Sequence, residues 1–359
     1  MNRPICMKYL KLIIILLSLS ALSMNAQQFV YKVDALGYFD NREYDADFQR
    51  SQTLFAIRLS PEIGAQLSGP NGSEHRLMLG AHYTKPMGMN FRREDFVPTL
   101  YYCFHKPQSG FKFYLGALPY ENLSQDLPAY VLYDSIAYVH PNIQGALVQF
   151  QGDRVFYDLM CDWRSMQSED QREAFRLLMN GRYRFGIFQA GGLIQMNHLA
   201  SKKFQKNGVC DDAFINPVIG VNIPLLDSLY VQSGYIWSYQ WDRIHAAEPI
   251  LSESLVFDLY AQWKFIGLKN TLFVGNNLQP LYSGAGNELY LGDPFYQSTF
   301  YNRCDVFFYL LRNNFVNCLI SWNLHYTKEF GLDHQQQLIC RLSTDWLRES
   351  RPLKNLFGK

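Results

Sequence analysis

Sixteen short stretches of alternating polarity run from about residue 33 to residue 346, and the gaps between them alternate long and short. That rhythm constrains the fold more than any other feature. In the clearest stretch, 53–67, Phe55, Ile57, Leu59, Pro61, Ile63, Ala65 and Leu67 share one parity, and Arg58, Ser60, Glu62, Gly64 and Gln66 share the other. Successive side chains of a strand point to opposite faces, so one face meets an apolar medium and the other a polar one. Strands can cross a bilayer only in a closed barrel, because an open sheet edge in hydrocarbon leaves backbone N–H and C=O groups without partners.

The predicted strands are 33–42, 52–67, 75–86, 96–105, 111–119, 142–151, 154–164, 174–185, 187–198, 213–224, 229–240, 252–265, 270–279, 299–311, 315–327 and 335–346. Tight turns follow the even strands, as at Gly152-Asp153. Longer connections follow the odd ones, the largest being 120–141 and 280–298. An even count with short periplasmic turns and longer outer loops describes a transmembrane antiparallel up-and-down β-barrel of about 16 strands, with 14 to 18 fitting the same pattern. Charges share the parity expected of the lumen, since a charge facing lipid at the midplane costs roughly 2–4 kcal/mol. The outward aromatics sort into two girdles, with Trp163, Phe175 and Trp237 at the outer rim and Tyr183 and Trp263 at the inner one.

The first 26 residues read as a cleaved signal peptide, with basic residues before an apolar run too short to span a bilayer and a small-residue exit at Ala26. Residues 27–359 then form a single barrel with a short C-terminal tail. The net charge of +1 gives no basic surface for a nucleic acid. The inferred hairpin registers do not set Cys103, Cys161, Cys210, Cys304, Cys318 and Cys340 opposite one another: Cys340 falls nearer Trp322 than Cys318. Cys161, Cys304, Cys318 and Cys340 fall on apolar faces, where a cysteine reads as a small apolar side chain. No spacing matches a metal site, and no cofactor is called for.

Asn41-Arg42-Glu43-Tyr44, Arg58-Leu59-Ser60-Pro61-Glu62-Ile63-Gly64, Arg172-Glu173-Ala174-Phe175 and Gly292-Asp293-Pro294-Phe295-Tyr296 together resemble a largely uncharacterised family of porin-like outer-membrane barrels of Bacteroidota. The resemblance covers nearly the whole mature chain. It implies fold and location, and brings no catalytic or ligand residues. One departure is the end of the chain, where Trp346 is followed by a tail closing on Phe357-Gly358-Lys359 rather than by a terminal aromatic.

The lumen parity collects Arg58, Arg154, Arg164, Arg176, Arg182, Arg184, Lys264, Arg303 and Arg341 against Asp158, Asp162, Asp258 and Asp305. A cationic wall on 154–164 and 174–185 would favour anions. The plainer reading is a salt-bridged, hydrated wall, with Asp158 and Asp162 neutralising the arginines. Asp293, Phe295 and Tyr296 mark a constriction if the loop 280–298 folds inward. Enzyme signatures are absent, which makes a non-enzyme the expectation. A barrel lipase would need a His–Ser pair facing lipid near the outer rim, and His198 is the nearest to that. The other histidines, His82, His105, His140 and His325, have no partner evident in the sequence. The leading expectation is a channel for passive diffusion of small hydrophilic solutes with weak anion bias, in contact with lipid and lipopolysaccharide and with a homotrimer left open. The alternative is a non-conducting barrel serving as surface scaffold, adhesin or assembly partner.

Overall fold

A computed structural model describes residues 27–90, 92–205 and 208–345. The expected signal peptide 1–26, Trp346 and the tail to Lys359 lie outside the described residues. The strands are β1 (Gln27–Glu43), β2 (Gln52–Ser68), β3 (Glu74–Pro86), β4 (Phe96–Lys106), β5 (Phe111–Pro119), β6 (Asn142–Gln151), β7 (Val155–Ser165), β8 (Ala174–Phe185), β9 (Phe188–Leu199), β10 (Cys210–Ile223), β11 (Ser228–Asp242), β12 (Ile250–Trp263), β13 (Ile266–Gly275), β14 (Phe300–Arg312), β15 (Val316–Thr327) and β16 (Gly331–Asp345). Each pairs antiparallel with its neighbours in sequence, and β1 pairs with β16 to close the barrel. Every ladder is thereby satisfied internally, as hydrocarbon demands.

The outward parity is apolar and open to the surroundings: Ile57, Leu59 and Ile63 are 46%, 42% and 52% exposed. In water such a surface would be an aggregation liability; against acyl chains it is the solvated face. Two short helices, α1 (Asp134–Val139) and α2 (Tyr282–Leu289), lie in the two longest connections.

Three registers differ from the sequence reading. The β12–β13 connection is the pair Lys264-Phe265, with Lys264 at φ 53, so Lys264 sits in a periplasmic turn and not on the lumen wall. Arg154 likewise stands exposed in the turn before β7. The outer connection 328–330 is shorter than expected, which slides β16 against β15 and sets Cys318 directly opposite Cys340. These two cysteines form a disulfide, correcting the expectation that no pair would meet. Among the described residues, Cys103, Cys161, Cys210 and Cys304 form no disulfide.

Candidate functional site

The lumen is filled from the outer side. Its wall carries an apolar belt at mid-height, in which Leu147, Met160, Leu178, Leu193, Ile236, Val256 and Phe273 are essentially fully buried. Residues 120–141 and 276–299 fold inward onto that belt, burying Val131, Phe295 and Tyr296 in the same cluster. The two segments also bond to each other: Asp293 N–H donates to the Ala129 carbonyl and Tyr133 N–H to the Leu291 carbonyl, both at 2.8 Å. Gly292 permits this approach, since a Cβ there would stand 2.2 Å from the Tyr130 carbonyl oxygen.

The lumen arginines and aspartates hold these segments. Arg176 donates to the Val131 carbonyl at 3.2 Å and to the Tyr120 hydroxyl at 2.7 Å, and that hydroxyl donates to Asp162 at 2.5 Å. Asp158 accepts from Ser124 N–H at 2.7 Å and from its hydroxyl at 2.5 Å. Arg164 donates to the Asn287 carbonyl at 2.8 Å, at the end of α2. Glu121 pairs with Arg58 at 3.1 Å and with Arg341 at 3.6 Å, and Arg341 also pairs with Asp34 at 2.7 Å. Burial opposes ionisation of Glu121, but Arg341, Arg58 and Lys32 outweigh it and hold the carboxyl well below its ordinary range. Arg303 pairs with Asp305 at 2.8 Å and lies 3.9 Å from Asp134 of α1. Arg182 donates to the carbonyls of Gly181 and Gly192 and to Asn180. The Arg184 backbone N–H donates to the Arg154 carbonyl at 2.7 Å, extending the β7–β8 ladder at the end away from their connection. A cavity of about 50 Å³ is lined by Arg182, Asp258, Lys269 and Arg303 on the wall and by Tyr130 and Tyr296 on the infolded segments.

Asp293, Phe295 and Tyr296 are buried at the centre of this arrangement. Asp293 caps the turn at Phe295, accepting from its N–H at 3.1 Å and from Gln49 Nε2 at 2.6 Å. Phe295 stacks on Tyr301 and meets Tyr44 edge-on. Burial pushes the Asp293 carboxyl up to about 6, against the pull of Arg303.

A second constellation lies on the lipid-facing side at the outer rim. The registers Trp163↔Phe175, Phe175↔His198, His198↔Asp211 and Asp211↔Trp241 form one lateral row across β7 to β11. Trp163, Phe175 and His198 stack in succession, with ring centroids 5.2 and 4.8 Å apart. His198 Nδ1 lies 2.7 Å from Asp211 Oδ1, and Arg243 donates to Asp211 Oδ2 at 2.6 Å. Asp211 escaped the sequence reading because β10 begins at Cys210 rather than near residue 213. The adjacent Asp211 and Asp212 then point to opposite faces, Asp212 inward to Asn197 and Gln240 and Asp211 outward to His198. Such a charge is tolerable at the rim, where the cost of facing lipid falls to about 0–1 kcal/mol.

When its Nδ1–H donates to a carboxylate, an imidazole presents a basic Nε2 on its other edge, the arrangement of a general base with its orienting acid. Ser201 lies three residues beyond His198, and its hydroxyl donates to the Gly208 carbonyl at 3.2 Å. Lys202 and Lys203 follow it, and Phe204 is 85% exposed.

Solved porins share the fold. The chain is similar to OmpF of Salmonella typhi, in a structure of its complex with daunomycin, at 9% identity, TM-score 0.56, and coverage of 89% of this chain and 98% of that one. It is similar to OccD3 (OpdP) of Pseudomonas aeruginosa at 8% identity, TM-score 0.52, and coverage of 90% and 92%. A triple mutant of the Rh. blastica porin matches at 10% identity, TM-score 0.51, and coverage of 88% and 100%. At such identities the likeness establishes the barrel alone. No curated protein matches the chain. The sequence also fits a family model over residues 21–347, and that family is named for an enzymatic activity, which overturns the expectation of a non-enzymatic barrel. The chain belongs to the Lipid A 3'-O-deacylase-type family of outer-membrane barrels.

Proposed function

We propose that this protein is an outer-membrane ester hydrolase that removes an acyl chain from a lipid A-like glycolipid at the lipid-facing outer rim. The observation that carries the reading is the 2.7 Å contact between His198 Nδ1 and Asp211 on the outside of the barrel. Asp211 fixes the tautomer, and His198 Nε2 takes a proton from the nucleophile as that nucleophile attacks the ester carbonyl. The same imidazole then returns the proton to the departing sugar oxygen. Ser201 supplies the nucleophilic hydroxyl once it releases the Gly208 carbonyl, giving an acyl-enzyme that water hydrolyses. The row Trp163–Phe175 offers apolar contact to the acyl chain, and Lys202, Lys203 and Arg243 suit an anionic headgroup.

The test is release of fatty acid from purified glycolipid by the detergent-folded barrel. His198→Ala and Asp211→Asn should each lower the rate by at least ~100-fold, within the range general-base catalysis contributes. Unchanged release by either variant defeats the assignment.

Passive diffusion of small solutes with weak anion bias is the second reading. The cavity beside Arg182, Lys269 and Arg303 favours it. It requires both infolded segments to leave the apolar belt, so steady conductance of the wild-type barrel in planar bilayers would support it.

A further inference from the structure

The lumen wall holds a nucleophile–base–acceptor relay that the rim chemistry does not use. Leu59↔Tyr83 and Glu62↔Gly80 pair β2 with β3, which sets Ser60 directly across from His82 on the lumen face. Ser60 Oγ lies 2.7 Å from His82 Nδ1, and His82 Nε2 lies 2.8 Å from Asn142 Oδ1. All three residues are buried, at 4%, 2% and 6% exposure.

The direction of this relay follows by elimination. The Pro98 carbonyl can only accept, so it takes the Asn142 amide N–H at 3.1 Å, which turns Asn142 Oδ1 toward the ring. That oxygen requires a donor, so the proton of neutral His82 sits on Nε2. His82 Nδ1 is then an acceptor and Ser60 must donate to it. A serine hydroxyl aimed at a tautomer-locked imidazole is the geometry of an activated nucleophile. Two donors on the same lumen face lack a hydrogen-bond partner among the described residues: Arg58 Nε, two residues before Ser60, and the Thr99 hydroxyl on β4. Thr99 pairs in register with Gly80, beside His82. Arg58 Nε, on the same face of β2 as Ser60, is a donor of the kind a tetrahedral oxyanion uses.

We propose that Ser60, His82 and Asn142 form a second acyl-transfer site inside the lumen, taking small esters that enter the barrel rather than membrane lipids. Ser60 Oγ bonds to the ester carbonyl carbon as its proton passes to His82 Nδ1. The alkoxide leaves with that proton, and water, deprotonated by His82, releases the carboxylic acid and restores the hydroxyl. Asn142 is the residue at which the infolded segment 120–141 rejoins the wall at β6, so access to Ser60 depends on where that segment lies. This site stands apart from the rim reading.

The experiment treats the folded barrel with diisopropyl fluorophosphate and maps the adduct by peptide mass spectrometry, a readout independent of lipid deacylation. The same reaction is run on Arg176→Ala, in which the infolded segment has lost two of its bonds. The expected result is one diisopropylphosphoryl group on Ser60, formed faster in Arg176→Ala. His82→Gln should slow labelling by ~100-fold or more. No adduct at Ser60 in either folded protein, or labelling of His82→Gln at the parent rate, overturns the proposal.

Discussion

Gly292→Ala tests whether the two infolded segments close the lumen as one body. The added methyl would lie 2.2 Å from the Tyr130 carbonyl oxygen and 2.6 Å from its carbon, whereas ordinary contact begins at 3.4 Å. Both obstacles are backbone, so no rotamer relieves them, and the segments must part by about 1.2 Å (3.4 minus 2.2). That displacement stretches the Asp293 N–H to Ala129 and Tyr133 N–H to Leu291 bonds, each 2.8 Å in the parent. Overpacking of a tight contact costs about 1–3 kcal/mol, and each weakened bond adds about 0.5–1.5 kcal/mol. A total of roughly 2–6 kcal/mol is a large fraction of what seats a loop, while the sixteen ladders are untouched. The variant should therefore keep its heat-modifiable barrel on gels, become sensitive to protease within 120–141 and 276–299, and show conductance steps that the parent lacks. A Gly292→Ala barrel as silent and protease-resistant as the parent would refute this account of the closed lumen.

Four further outcomes follow from the geometry. Asp293 titrates near 6 when the segments are docked and near 3.8 when they are released, so the docked state binds the proton more tightly and its stability falls as pH rises from about 4 through 6. The difference corresponds to on the order of 3 kcal/mol, so openings of the Gly292→Ala barrel in planar bilayers should be more frequent at pH 7.5 than at pH 4.5, and adding Asp293→Asn should flatten that dependence. Glu121→Gln leaves Arg58 and Arg341 facing each other without their shared carboxylate; breaking such a half-buried set should cost about 3 kcal/mol in urea unfolding followed by tryptophan fluorescence, and a loss under 0.5 kcal/mol would contradict the pairing. Ser201→Ala should abolish any acyl-enzyme seen by intact mass, whereas full retained activity would make water the direct nucleophile at His198. Lys202 and Lys203 changed together to Gln should weaken binding of an anionic glycolipid several-fold at low salt and little at high salt, as surface attraction is screened.

The sequence makes the strands legible because lipid imposes parity on every one of them, and the range 174–185 was recovered without change. Registers were harder. Nothing in Lys328-Glu329-Phe330 announces that an outer connection tightens to three residues, and that tightening decides which residue faces Cys340. The filled lumen did leave a trace: Leu178 lies between Arg176 and Asn180, and Val256 between Ser254 and Asp258, apolar residues on the polar parity that water would not solvate. The arginines of the same face read as a wall for passing ions because their partners, Val131, Tyr120 and Glu121, come from a connection whose inward path has no periodic signature. The relay at Ser60 was hidden for a related reason. His82 meets a residue 22 positions before it and another 60 positions after it, and parity alone does not give the stagger between strands. Asp211 was lost to an error of a few residues in one strand start, which suffices to leave a charged group in a loop instead of on the lipid face.

The most direct measurement is hydrolysis of a lipid A-like glycolipid by the folded wild-type barrel in ¹⁸O-labelled water. The expected product is free fatty acid carrying the heavy oxygen, abolished in His198→Ala and unaffected by whether the lumen is open. Intact glycolipid after prolonged incubation with the folded protein, or labelled fatty acid released equally well without the imidazole, would contradict it.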